Sequence, residues 1–409
     1  MKLWTRWAAV AILLPTASCN RGVPATWIFE PHPKGVIATG SAQDVAVDSS
    51  GAPGMLVVYD ENGKSRLGYT MSHDGGDSFM HAIAVSGTDA SVSVQAEASP
   101  TLAKVPTAIY GLWEQPGAKG QNDLMLARSL SYGHSFDQPV RVNDEEKSFH
   151  GYSSVAAAPD GDVYAVWLDG RETAPSSETF AIYFARSRNQ GATFEKNKRV
   201  ALAACPCCRP RIAVGAHQEL HIAWRKVFPG DIRDMVVSTS YDGGNTFAPE
   251  VRVADDGWHL RGCPHSGPSM VESNGRLYVA WLTEGRDQHP RIQLAWSEDH
   301  GRHYHPPVVI SGETLDPNHP VLSASEDGRV LVIFQGRARK ADSAWEPAAA
   351  FMVEVAGDKV SSPMPLPKDA GSVSNPHIAA GTGGRVYVAW TQRIDESGKP
   401  VLLRGRRQP

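Results

Sequence analysis

The chain is 409 residues long, 41% hydrophobic and 21% charged, with 38 glycines and 29 prolines. That balance excludes a disordered polymer and describes a folded, turn-rich protein. The formal charge of −4 excludes the basic field that a nucleic-acid partner requires.

The first element in chain order is a leader. Lys2 and Arg6 precede an apolar run over residues 7–14, and Thr16, Ala17 and Ser18 supply small residues before Cys19. Eight apolar residues are too few to cross a bilayer core, so residues 1–18 read as a cleaved export signal. The order of elements resembles a bacterial lipoprotein signal, which implies acylation of Cys19 and a membrane partner reached through lipid. Thr16 stands where that family usually has Leu. The expected location is an exported, membrane-anchored one, at the outer membrane and facing the periplasm or the surface.

Residues 19–38 are then a lipidated N-terminus followed by a strand-forming stretch, and residues 39–409 form one all-β domain. Seven short β-branched or aromatic runs end on an aromatic residue: Tyr59, Trp113, Trp167, Trp224, Trp281, Phe334 and Trp390. They recur at intervals of 54, 54, 57, 57, 53 and 56 residues. Runs of this length between Gly, Asn and Asp clusters are strand signals. A fixed period with about four strands per repeat predicts a β-propeller of four-stranded antiparallel blades. Seven blades are expected, with six the alternative. The last repeat supplies only three strand candidates, so residues 25–36 are expected to add the fourth beside residues 401–404 and hide a sheet edge.

A second motif rides on the same period. Ser72-x-Asp74-x-Gly76, Ser240-x-Asp242-x-Gly244 and Ser297-x-Asp299-x-Gly301 each lead to an aromatic at Phe79, Phe247 or Tyr304. Degenerate copies begin at Ser129 and Ser187. The polar side chain bonds its own turn, glycine takes a positive φ, and the aromatic packs beneath. These Asp-box segments resemble the sialidase superfamily and its BNR-repeat relatives over essentially the whole domain. The resemblance implies that the boxes are structural and that ligands meet the opposite face, near the central channel. It also implies, for an enzyme, an arginine triad, a Tyr–Glu nucleophile pair and an Asp acid/base. The family's Arg-Ile-Pro motif is absent, and no catalytic residue transfers by motif.

The loops expected on the ligand face are rich in arginine. Arg171, Arg225, Arg233 and Arg286, with Trp258 beside them, are candidates for a carboxylate-bearing glycan or protein partner, because a guanidinium fork pairs with carboxylate. Solvated salt bridges between loops are the competing reading.

The same face carries Cys205-Pro-Cys207-Cys208-Arg-Pro210 and Cys263-Pro-His265-Ser-Gly-Pro268. Aligned on their prolines, the two loops occupy equivalent places in adjacent repeats, so their thiols and imidazole are expected to meet. Two chemistries compete for Cys205, Cys207, Cys208, Cys263 and His265. An exported protein would pair the thiols as disulfides. Thiolates with an imidazole would instead hold copper or zinc. The leading functional expectation is therefore an exported binding module with a Cys/His centre, and the alternative is a sialidase-like exo-glycosidase.

Overall fold

A computed structural model describes residues 26–30, 40–47, 51–87, 90–94, 98–119, 121–173, 178–339, 346–394 and 398–408. The leader, Cys19 and both ends of the 25–36 stretch lie outside them. The described chain is built of antiparallel strands, with a single 3₁₀ turn at Thr382–Gly384. Each repeat folds as a meander. In the first, Ser41–Val47 pairs Pro53–Glu61, which pairs Lys64–Met71, which pairs Ile83–Ala84.

The first strands of successive repeats touch in order. Ser41–Val47, Thr101–Val105, His150–Ala157, Arg211–Val214, Ser269–Ser273, Leu315–Ala324 and Ser372–Ala380 form such a series, and Ser372–Ala380 returns to Ser41–Val47. The contacts therefore run in a closed ring. The last sheet is completed by Trp27–Glu30, which lies antiparallel to Gly398–Arg407 with Trp27 opposite Arg407 and Glu30 opposite Arg404. Trp27 and Phe29 pack against the core of that sheet, and the Trp27 indole donates to Glu354 at 3.2 Å.

The aromatic residues that mark the repeat are the pillars of the core. Trp113, Trp167, Trp224, Trp281, Phe334 and Trp390 are at most 1% exposed. A buried indole N–H needs an acceptor, and period-two geometry offers the residue two further along the same face. Trp113 donates to Gln115, Trp167 to Asp169 and Trp390 to Gln392, at 3.1, 2.8 and 3.1 Å. Trp224 has Lys226 at that place, a donor, and its indole N–H has no acceptor among the described residues.

On one end of the repeats, five turns share one geometry. Ser72, Ser129, Ser187, Ser240 and Ser297 each accept from the amide four residues on, at 2.7 to 2.9 Å. Hydrogen bonds from Thr246 and Ser240 pull the Asp242 carboxyl down to about 2. At the other end, Pro100, Pro210 and Pro268 stand just before the first strands of their repeats. Proline has no N–H to give a ladder, which leaves the preceding segments free to form loops.

Removal of residues 26–30 should unpair Gly398–Arg407 and uncover Trp27 and Phe29 contacts. The expected loss is about 2–4 kcal/mol of unfolding free energy. Urea unfolding of chains starting at residue 26 and at residue 40 measures it, and equal midpoints would show that the strand carries no stability.

Candidate functional site

Two loops cross the end of the fourth repeat opposite the serine turns. One leaves Lys198–Ala204, the outermost strand of the third repeat, and carries Cys205 to Cys208 towards the ring centre. Ala204 still pairs with Lys226 of the neighbouring repeat, and the Cys205 amide donates to the Arg225 carbonyl at 2.8 Å. This joins the third and fourth repeats into one eight-stranded sheet. The other loop runs over residues 255–268. It is tied to the far side of the Leu220–Phe228 and Ile232–Ser240 hairpin, because Arg233 donates its amide to Trp258 and Leu260 donates to Asp231.

The loops meet at their sulfurs. The donor atoms of Cys205, Cys207 and Cys208 all lie within 4.8 Å of one another, and so do those of Cys207, Cys263 and His265. Cys207 belongs to both groups. The first three are buried against Val227, whereas Cys263 and His265 are exposed. All four described cysteines are free thiols. The Cys205 and Cys207 sulfurs stand 3.8 Å apart, nearly twice an S–S bond length of about 2.05 Å.

The electrostatics favour a thiolate at Cys205. Hydrogen bonds from Cys207 and then Cys208, with the charges of Arg225 and Arg233, hold it well below the ordinary thiol range against the cost of burial. Arg233 Nη1 reaches its sulfur at 3.2 Å. Burial instead pushes Cys208 up to about 12, and Cys207 rises because its proton is shared towards Cys205.

Backbone contact fixes the meeting point. Gly267 faces the Arg209 carbonyl so closely that a Cβ would come within 2.2 Å of its oxygen. Arg209 is itself buried and donates to the Ser99 carbonyl and hydroxyl at 2.5 and 3.0 Å. His265 has φ of +46°, a left-handed conformation that is uncommon for a non-glycine residue.

The expected cluster of ligand-binding arginines takes a different form. Arg225 is 1% exposed. It donates to the carbonyls of Arg233, Ser266 and Leu282 at 3.2, 3.1 and 2.8 Å, and its cation lies 4.8 Å from the Trp258 ring centre. Trp258 is equally buried. Backbone oxygens take the Nη donors of this buried guanidinium, while its Nε has no acceptor among the described residues, so Arg225 and Trp258 are the clamp of the loops and do not face solvent. Arg233 is spent on Cys205. Arg171 pairs with Asp169 and Asp144 at 2.9 and 2.6 Å and lies over Tyr183. Arg286 is exposed, pairs with Asp255 at 2.9 Å and lines an open groove of about 480 Å³ with Asp256, Asp287, Arg291 and Tyr304. The four do not converge, and acidic side chains or carbonyls already occupy three of them.

Part of the picture has no obvious signal in the sequence. A tyrosine–glutamate pair does form: Tyr183 donates to Glu172, which also pairs with Arg199. Burial and Glu172 keep the proton on Tyr183 by raising its pKa, opposite to what a nucleophilic phenolate needs. His150, His319 and His377 stay outside the thiol cluster. His150 is fully buried, His377 pairs with Asp44 at 3.2 Å, and His319 lines a cavity of about 20 Å³ near the ring centre with Arg209, Arg211 and His377. Glu114, buried in the second repeat, accepts from the Tyr152 amide at 2.6 Å, and burial lifts its pKa to about 7.

The ring of meanders matches solved structures along most of the chain. A protein of unknown function from Dyadobacter fermentans DSM 18053 superposes with a TM-score of 0.54 at 12% identity, covering 94% of this chain and 100% of its own. An ulvan lyase of polysaccharide lyase family PL25, bound to -[GlcA(1-4)Rha3S]-, gives 0.53 at 12% identity, covering 79% of this chain and 83% of its own. The chain is a β-propeller. A Hadza microbial sialidase, Hz136, is similar at a TM-score of 0.49 and 13% identity, over 85% of this chain and 74% of its own. No family model and no curated protein matches the sequence. The propeller supplies the platform on which the Cys/His loops are carried.

Two outcomes follow from this geometry. Gly267→Ala should force the loops apart and lower the melting temperature by several degrees, since relief of a backbone clash costs about 1–3 kcal/mol; calorimetry reads it, and an unchanged transition would show that the loops yield freely. Glu114 has a folded pKa of about 7 against an unfolded value near 4.3. Its raised value means that stability is complete below the unfolded pKa and is lost as pH rises through 7. Between pH 4 and 8 this group should remove on the order of 3 kcal/mol, and Glu114→Gln should flatten that part of the stability profile measured by urea unfolding.

Proposed function

We propose that this protein is an exported, lipid-anchored propeller of seven blades that binds a soft metal ion at its Cys/His loops and uses that end of the ring for recognition. The observation that carries the reading is the sulfur geometry. Four thiols and an imidazole from adjacent repeats face one another unbonded, with 3.8 Å between Cys205 and Cys207. A metal with bonds of about 2.3 Å to sulfur spans tetrahedral edges of about 3.8 Å. Disulfide formation would require that pair to close by almost half. Copper and zinc are the metals that suit thiolate with imidazole.

Export and lipidation rest on the residues before Cys19 and on the cysteine itself. The protein should partition with membranes, and Cys19→Ala should move it to the soluble exported fraction; a wild-type chain that is soluble without detergent would rule the anchor out.

The metal reading is tested on protein purified without reductant or chelator. Thiol titration with elemental analysis should find about one equivalent of metal and thiols that become titratable when it is removed. Cys207→Ser, which removes the donor common to both groups, should weaken retention about tenfold or more. No metal together with no titratable thiol would establish disulfide staples instead.

Among the described residues, the pair of Tyr183 with Glu172 favours a sialidase-like glycosidase. Its phenol is buried and holds its proton, and the arginines around it are paired. A fluorogenic sialoside should therefore show no turnover above buffer. Turnover abolished by Tyr183→Phe would make the glycosidase the better reading.

A further inference from the structure

The five donors form two sets that overlap in one atom. Cys205, Cys207 and Cys208 make a buried trithiol pocket; Cys207, Cys263 and His265 make a solvent-facing one. Cys207 Sγ belongs to both, so an ion can pass between the pockets without ever being released.

The surroundings of the two pockets differ in charge. Arg233 Nη1 reaches the Cys205 sulfur at 3.2 Å, Arg225 donates to the carbonyls of Arg233 and Ser266 beside it, and both are at least 96% buried. Three thiolates against two guanidinium cations leave one negative charge in the inner pocket. A monovalent ion neutralises it, whereas a divalent ion overshoots and leaves an uncompensated buried charge, which is costly. Three soft thiolates are also a donor set that suits Cu(I). The outer pocket has two sulfurs and an imidazole, with water at hand to carry charge.

We propose that the centre is a two-station relay for Cu(I), in which Cys207 stays bonded while the ion moves from the exposed station to the buried one. This rests on the metal reading above. The bonds from copper to Cys263 Sγ and to His265 break, and bonds to Cys205 Sγ and Cys208 Sγ form. The copper remains Cu(I) throughout. Cys205 enters as a thiolate beside Arg233, the proton of Cys208 passes to the departing Cys263 thiolate, and His265 leaves as a neutral imidazole. Atoms, protons and electrons balance, and no oxidant or reductant is needed. Arg233 is the positioning residue, its Nη1 3.2 Å from the Cys205 sulfur.

The experiment is anaerobic titration of the full chain with Cu(I) in the presence of a chromophoric Cu(I) chelator, with Zn(II) as the competing probe. X-ray absorption at the copper edge reads the ligands, and stopped-flow absorbance reads loading. One Cu(I) should bind with a sulfur-only shell at equilibrium, and excess Zn(II) should not displace it. The double variant Cys263→Ser with His265→Ala, which changes only exposed residues, should keep the sulfur-only shell and lose the fast loading phase. Cys208→Ser should trap the ion with nitrogen in its shell. Loading of the double variant as fast as wild type would overturn the relay, as would nitrogen in the wild-type shell at equilibrium. Displacement by Zn(II) would overturn the monovalent assignment while leaving a metal centre. Failure to bind either ion, with paired thiols, would remove the metal reading itself.

Discussion

A four-stranded meander with two apolar faces cannot stand alone in water, and that constraint organises this molecule. Six of the repeats bury a tryptophan or a phenylalanine in the second strand, and the first has a half-buried Tyr59 there. Repetition of that demand around a circle leaves only one weak place, where the first and last sheets meet. The strand Trp27–Glu30 closes it by pairing with the C-terminal strand. Once the ring is closed, the segments that enter each repeat are gathered at one end, and residues 56 positions apart in sequence, such as Cys207 and Cys263, become neighbours.

The repeat was legible because it is enforced by backbone physics. Period-two apolar runs, serine turns and prolines before the first strands each have a local cause. The meeting of the cysteine loops was legible for the same reason, since equal register on adjacent repeats implies adjacency in space. The roles of the charged residues were not legible. Arg225 looks like any loop arginine in sequence, yet its position at the end of a buried strand points it inward, where carbonyls of three separate segments await it. Glu114 follows Trp113 in an apolar strand and gives no sign that burial will hold its proton to near neutral pH. Tyr183 and Glu172 are eleven residues apart across a hairpin, and no motif connects them.

The fourth repeat departs from the pattern at several points that share a cause. Lys226 replaces the acceptor that the indole two residues earlier would use, and pairs with Glu250 instead. On the other face of that strand end, Arg233 Nη1 reaches the Cys205 sulfur at 3.2 Å and the charge of Arg225 acts on the same thiol. Cations stabilise thiolates. The sequence gives up an ordinary clamp of the propeller core at the place where it installs a field suited to sulfur anions.

The pairing of Ala204 with Lys226 also has a mechanical meaning. Blades of such a ring ordinarily touch through side chains alone, so each boundary can slip by small rotations. Here the third and fourth repeats are stitched by main-chain bonds through the cysteine loop, and Ser93 with Glu114 stitches the first and second in the same way. An ion clamped by both loops would extend the rigid arc from two blades to three, and the remaining ring would act as its hinge.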